Sequence, residues 1–168
     1  MSQGLNQILT KRQVKDKVTR IAYEIYENNF QDEELILVGI NGQGYALATL
    51  LEETLDSISD LKISLAELSI DKKDHLSRPI SINLDQKDLS GKSIILIDDV
   101  QNSGRTISHG LGFLLKNGVK KIETAVLVDR SHKSFPILAN YMGYEIATMI
   151  DEYIDVQLDG DVGVFLHS

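Results

Sequence analysis

A chain of 168 residues, 42% hydrophobic and 25% charged, is long enough for one domain with one core. It contains no cysteine, which excludes a disulfide framework and thiolate metal sites and fits a reducing, cytoplasmic compartment. A formal net charge of −8 disfavours non-specific binding to polyanions, although a local basic patch stays open.

The opening Met1-Ser2-Gln3-Gly4 lacks a charged segment leading into an apolar run, so no signal peptide is expected. No stretch approaches the roughly 20 apolar residues of a membrane helix. From Thr10 to Asn29, apolar residues at Val14, Val18, Ile21, Ala22, Ile25 and Tyr26 keep helical spacing, with Thr10 as N-cap. Leu35 to Ile40 is a short continuous apolar run, the pattern of a strand buried on both faces. Gly42 and Gly44 break the chain, and Tyr45 to Leu55 reads as a helix. Leu61 to Ile70 has β character but carries charge. Ile94 to Ile97 predicts a second buried strand, Thr106 to Lys116 a helix closed at Gly118, and Ile122 to Val128 a third strand. Gly143 to Met149 and Ile154 to Leu158 are weaker strand candidates. Apolar strands alternating with helices predict an α/β fold around a mostly parallel sheet. Ligands in such sheets sit beyond the carboxyl ends of the strands, which points to the loops after Ile40, Ile97 and Val128.

The second of these loops is the richest in chemistry. Ile94-Ile95-Leu96-Ile97-Asp98-Asp99-Val100-Gln101-Asn102-Ser103-Gly104-Arg105-Thr106 delivers two adjacent carboxylates from a buried strand, then opens a helix through Ser, Gly and Thr. Backbone N–H groups of such a loop, together with the helix N-terminus, bind anions. Gly104 removes the Cβ that would block close approach, while Ser103 and Thr106 add hydroxyl donors. Paired acids suit ribose hydroxyls or hydrated Mg²⁺. A bare Asp-Asp pair would read as a solvated strand end; the whole string does not.

The string resembles the motif that binds phosphoribosyl pyrophosphate (PRPP) in type I phosphoribosyltransferases. That resemblance implies a type I phosphoribosyltransferase fold spanning residues 1–168 as one domain: a mostly parallel central sheet flanked by helices, with a small hood. It implies that Asp98 and Asp99 hold the ribose hydroxyls, and that Gln101, Asn102, Ser103, Gly104, Arg105 and Thr106 take the 5-phosphate. Asn102 stands where purine-specific members often carry an acid. Val126 to His132, followed by Pro136-Ile137, Ala139, Tyr141 and Gly143, resembles the branch of bifunctional pyrimidine-operon attenuators and uracil phosphoribosyltransferases. Leu37 to Ile40 with Gly44, and Val156 to Asp159, fit the same branch. By that resemblance Asp129, Arg130 and Ile154 flank the base. Taken without it, Asp129 and Arg130 would be a local surface ion pair, worth little.

One departure concerns the first loop. Ile40, Asn41, Gly42, Gln43 and Gly44 form the expected pyrophosphate loop, yet Asn41 and Gln43 stand where family members usually place basic residues. The segment between Asp74 and Leu84 is also shorter than the usual flexible hood. Lys72, Lys73 and Arg78 are its candidates for reaching pyrophosphate. Expected partners are PRPP, a nucleobase or nucleotide, and Mg as cofactor, on a homo-oligomer. The expected activity is transfer of phosphoribosyl to a base, uracil foremost. The alternative is a nucleotide-sensing, RNA-binding attenuator with little catalysis. RNA is the less favoured partner, because the basic residues are scattered apart from Lys11, Arg12, Lys15, Lys17 and Arg20, which an exposed amphipathic helix face explains. A dinucleotide fingerprint at Gly42-x-Gly44 fails because position 47 is Leu. Four histidines, His75, His109, His132 and His167, show no metal-ligand spacing and read as surface or loop residues, His132 excepted because it falls in the family stretch. The acidic segment Asp151 to Asp161 reads as a solvated edge.

Overall fold

A computed structural model of the chain describes residues 6–168. Helix α1 spans Lys11–Asn29 and starts at a reciprocal cap. The Thr10 hydroxyl accepts from the Gln13 N–H at 3.2 Å, and the Thr10 N–H donates to the Gln13 side chain at 2.9 Å. Strand β2 (Glu34–Ile40), helix α2 (Gln43–Ile58) and strand β3 (Lys62–Ser69) follow, then the short strand β4 (Ser81–Ile82). Beyond a 3₁₀ turn at Gln86–Leu89 come β5 (Ser93–Gln101), helix α3 (Arg105–Leu115), β6 (Lys121–Arg130) and β7 (Tyr141–Ile146). One sheet runs β4-β3-β2-β5-β6-β7, parallel except for the antiparallel β3–β4 edge.

Burial on both faces explains the continuous apolar runs. Leu35, Leu37, Ile95 and Ile97 pack with Val18, Ile21 and Ile25 of α1 and Leu47 and Leu51 of α2. Their neighbours Ile36, Val38, Ile94 and Leu96 pack on the opposite face with Ile107 and Leu114 of α3. Each strand thus feeds two cores by its two-residue alternation. Gly118, with φ of 65°, follows α3 two residues beyond its C-cap, Lys116.

Three differences from the sequence reading have physical causes. Strand β5 does not stop at Ile97: its pairing with β2 ends at Gly39↔Ile97, but its pairing with β6 continues through Asp98↔Val126 to Gln101↔Asp129. The two acids therefore belong to the strand, not to the loop after it. Strand β6 likewise runs on to Arg130. Strand β1 (Asn6–Leu9), β8 (Tyr153–Gln157) and β9 (Gly163–His167) form a second, antiparallel sheet in the order β1-β9-β8. Its outer pairing joins Asn6 to Leu166, a separation along the chain that no local pattern signals. Among the described residues no helix is long and apolar enough to cross a membrane.

Candidate functional site

The chain leaves β2 for β3 on one side, and β5 then lies on the other side of β2. The carboxyl ends of β2 and β5 therefore flank the topological switch point of the parallel sheet, where open α/β sheets bind ligands. Two of the loops singled out in the sequence, 41–44 and 98–106, meet there. Gly44 permits the closeness: a Cβ on it would lie 2.8 Å from Asp98 Oδ1 and 3.1 Å from the Asp98 Cα.

Asp98 is 2% exposed. Its Oδ1 accepts from the Asp99 N–H at 2.9 Å and from Lys72 Nζ at 2.9 Å. The same ammonium lies 3.5 Å from Asp99. Burial foremost, and then the neighbouring Asp99 charge, push the Asp98 carboxyl up to about 8, against the pull of Lys72. Of the lysines offered by the 72–78 segment, Lys72 reaches the acids. Lys73 is exposed, and its N–H donates to Asp71 Oδ1 at 3.0 Å. Asp71 also accepts from the Asp74 N–H and the Ser77 hydroxyl, a local turn that sets the shape of the segment.

Beyond the acids the backbone turns through Gly104, at φ 87° and ψ 0°, into α3. That left-handed conformation costs glycine little. The Ser103 hydroxyl accepts from the Arg105 N–H at 3.2 Å, and the Ser103 carbonyl accepts from Ser134 and Phe135. Gln101 is 1% exposed and braces the loop from behind, donating to the Ile137 carbonyl at 2.8 Å. Thr106 Oγ1 meets His75 Nε2 at 2.8 Å. Burial first, then His109 and Arg105, hold His75 below the ordinary imidazole value. Lys72, His75, Asp98 and residues 100–107 enclose a cavity of about 180 Å³. Sequence reading placed His75 on a surface loop; its position in the site follows from the fold of 70–80, and only its nearness in sequence to Lys72 hinted at it.

In the third loop the surface ion pair that Asp129 and Arg130 suggest without the resemblance does not form. Asp129 accepts two bonds from Lys133 Nζ, at 2.7 and 2.9 Å. Arg130 is buried and donates to Thr148 Oγ1 at 2.8 Å, Asn102 Oδ1 at 2.9 Å, the Glu152 carbonyl at 2.8 Å and the Met149 carbonyl at 3.3 Å. It thereby ties loop 101–106 to the segment that leads into β8, where Ile154 packs against the core. Asn102, at the position read for purine discrimination, is engaged by Arg130. His132 Nε2 contacts the Thr148 carbonyl.

At the end of β2, Ile40 is fully buried. Asn41 Oδ1 accepts from the Ile70 N–H at 2.8 Å, and Gln43 Oε1 accepts from the Leu158 N–H at 3.0 Å. Both side chains that stand where cations were expected are committed to neighbouring backbone. Gly42, at φ 87°, caps α2 without a side chain.

A parallel sheet with paired acids and a glycine-turned loop at its switch point is the architecture of the phosphoribosyltransferases, and the chain belongs to the phosphoribosyl transferase domain family, which matches residues 4–160. Among its relatives, it is 37% identical over 158 residues to the bifunctional protein PyrR of Brevibacillus brevis, covering 90% of this chain and 88% of that one. It is 36% identical over 168 residues to the pyrimidine operon regulatory protein of Lactococcus lactis subsp. lactis, covering 95% of each. Among solved structures, a hypoxanthine-guanine phosphoribosyltransferase from Bacillus anthracis aligns with a TM-score of 0.78 at 17% identity, over 98% of this chain and 100% of that one. The hypoxanthine phosphoribosyltransferase of Trypanosoma cruzi aligns with a TM-score of 0.78 at 12% identity, over 96% and 95%. At those identities the likeness is one of fold, and it agrees with the sheet expected from the sequence.

Proposed function

We propose that the chain, as one unit over residues 1–168, transfers the phosphoribosyl group of PRPP to a nucleobase, uracil foremost, and releases pyrophosphate. The observation that carries this reading is the single cavity joining Asp98 to the Ser103–Thr106 turn. In this reading the 5-phosphate lies on the loop N–H groups and the hydroxyls of Ser103 and Thr106, at the N-terminus of α3. The Asp98 carboxyl and the Asp99 carboxylate take the ribose hydroxyls, and Asp99 stabilises positive charge growing at the anomeric carbon. Held in register, base and ribose react without a covalent intermediate. The base lies beside Asp129 and Ile154, with Arg130 fixing the segment between them.

Among the described residues no group of three or more His, Cys, Asp or Glu side chains gathers to hold a metal. The adjacent pair Asp98 and Asp99 fits Mg²⁺, which binds through one or two carboxylates plus substrate phosphates. Asp98 and Asp99 are the carboxylates that would meet it, and the ion would supply charge neutralisation for the leaving pyrophosphate.

The second reading is a nucleotide-sensing regulator of a pyrimidine operon with little turnover. It is favoured by the uncharged loop at 41–44, whose Asn41 and Gln43 side chains serve backbone groups. The names of the relatives fit either reading. The deciding experiment is a side-by-side assay with PRPP and Mg²⁺ on uracil, hypoxanthine and guanine, preceded by thermal shift. Uracil turnover above both purines supports the transferase. Faster turnover of either purine overturns the choice of base. PRPP-dependent stabilisation without turnover of any base supports the regulator. Ser103→Ala with Thr106→Ala is expected to remove the stabilisation by PRPP; an unchanged shift would sink the phosphate assignment.

A further inference from the structure

A second cavity, of about 610 Å³, lies on the far side of His75, between the 75–80 segment and α3. Its polar lining is His75, Ser77, Arg78, Ser108, His109 and Lys116, and its apolar floor includes Ile80 and Phe113. No carboxylate lines it, in a chain with 25 acidic residues and a net charge of −8. Arg78 and Lys116 make no ion pair among the described residues. Two unpaired cations, two imidazoles and two hydroxyls around a concave, acid-free space make a local positive focus in an otherwise acidic molecule. The nearest acids, Asp71 and Asp74, face His75 from the segment itself. The imidazoles of His75 and His109 are stacked, 5.0 Å between centroids at 11°. The Ser77 and Ser108 hydroxyls donate to Asp71, the Asp74 carbonyl and the Gly104 carbonyl, which leaves Arg78 and Lys116 as the free cations. Flat rings and two cations lining one space match a ligand with a planar ring and an anionic group, and the volume is in the range of small-molecule sites.

We propose that this cavity is a second ligand site, distinct from the phosphate loop, which takes a nucleoside monophosphate: the phosphate lies against Arg78 and Lys116, and the base against the His75–His109 pair and Phe113. His75 lines both cavities and bonds Thr106 across the wall between them. Occupancy of one therefore bears on the other, and each ligand changes the affinity of its counterpart by the same factor. That coupling rests on the phosphate-loop reading; the cavity itself does not.

Gly112 gives the cleanest test. It lines the cavity, and a Cβ there would meet nothing within 4 Å, so a larger side chain fills the space without strain. Calorimetric titration of the whole chain with UMP is expected to show two equivalents per chain. Gly112→Leu and Lys116→Glu should each lower the affinity of one equivalent at least tenfold and leave the other in place. Ser103→Ala with Thr106→Ala should weaken the other. One equivalent in the parent chain that only the Ser103–Thr106 pair removes would overturn the proposal, as would two equivalents untouched by both cavity variants. One equivalent removed by Gly112→Leu but not by the Ser103–Thr106 pair would uphold the cavity and remove the phosphate-loop reading instead.

Discussion

Asp98, buried in the candidate site, ties that site to stability. Its carboxyl is 2% exposed, and burial and Asp99 push it up to about 8. A raised folded-state value means that the contribution of this acid to stability is fully present below its unfolded value near 4 and is lost as pH rises through about 8. Asp98→Asn removes that linkage. The melting temperature of the variant relative to the parent should climb steadily between pH 5 and pH 8.5; a constant difference across that range would show that the carboxyl titrates normally. Arg130 is the opposite case, a buried charge satisfied on every side. Truncation to Ala strips donors from two carbonyls, Asn102 and Thr148. Those acceptors are exposed or half-buried and can turn to water, so the loss is that of the hydrogen bonds and the packing, and a total of roughly 1–3 kcal/mol is expected in urea denaturation. Lys cannot replace the planar fork and should recover only part of it. If both variants unfold at the parent midpoint, the tether between loop 101–106 and β8 is unimportant for the fold.

Helices and strands differ in how far they could be read in advance. The N-cap of α1 at Thr10 and the apolar periodicity from Val14 to Tyr26 are local signals and were legible, whereas the reciprocal bond from Gln13 was not read. Thr10→Ala should cost about 1 kcal/mol, measured by the same denaturation series. Buried strands were legible as apolar runs, but their ends were not, because β5 continues only through its pairing with β6. The motif from Asp98 to Thr106 could be found from residue types alone. Lys72 was read as a candidate beside Lys73 and Arg78, but residue type could not choose among them, and His75 was missed, since what brings both to the site is a non-repetitive segment shaped by Asp71. Gly44 was read as a chain break, but it lies in the first turn of α2, and its reason, the close approach to Asp98, appears only where two elements meet. Gly44→Ala would drive a methyl to 2.8 Å from Asp98 Oδ1 and 3.1 Å from the Ile97 carbonyl. A cost of about 1–3 kcal/mol is expected, with loss of PRPP binding beyond what that cost explains. Parent-like PRPP affinity in Gly44→Ala would show that the acids do not need their present position.

At the scale of the whole molecule the question is whether an acidic chain can read RNA. The basic cluster of α1 supplies five cations in sequence, but the structure divides them. Arg20 is committed to Glu24 and to the Met142 and Gly143 carbonyls. Lys17 Nζ lies 6.0 Å from the centroid of the Tyr144 ring. Lys11, Arg12 and Lys15 border a different, largely apolar groove against α2, with Glu53 on its opposite wall. A backbone-tracking site needs several cations on one continuous face, and three is the most that this surface offers together. With about three phosphate contacts, log affinity should fall with log salt at a slope of roughly −2 to −3, and affinity at physiological salt should lie in the non-specific range of about 10⁻⁴ to 10⁻⁶ M. Filter binding of an RNA hairpin at two salt concentrations measures both numbers. Nanomolar affinity with a steeper slope would mean that more cations converge than one chain presents, as when two copies join their basic faces. That result would promote the regulator over the transferase. Micromolar binding with a shallow slope leaves nucleotide chemistry at the β2–β5 switch point as what this chain is built to do.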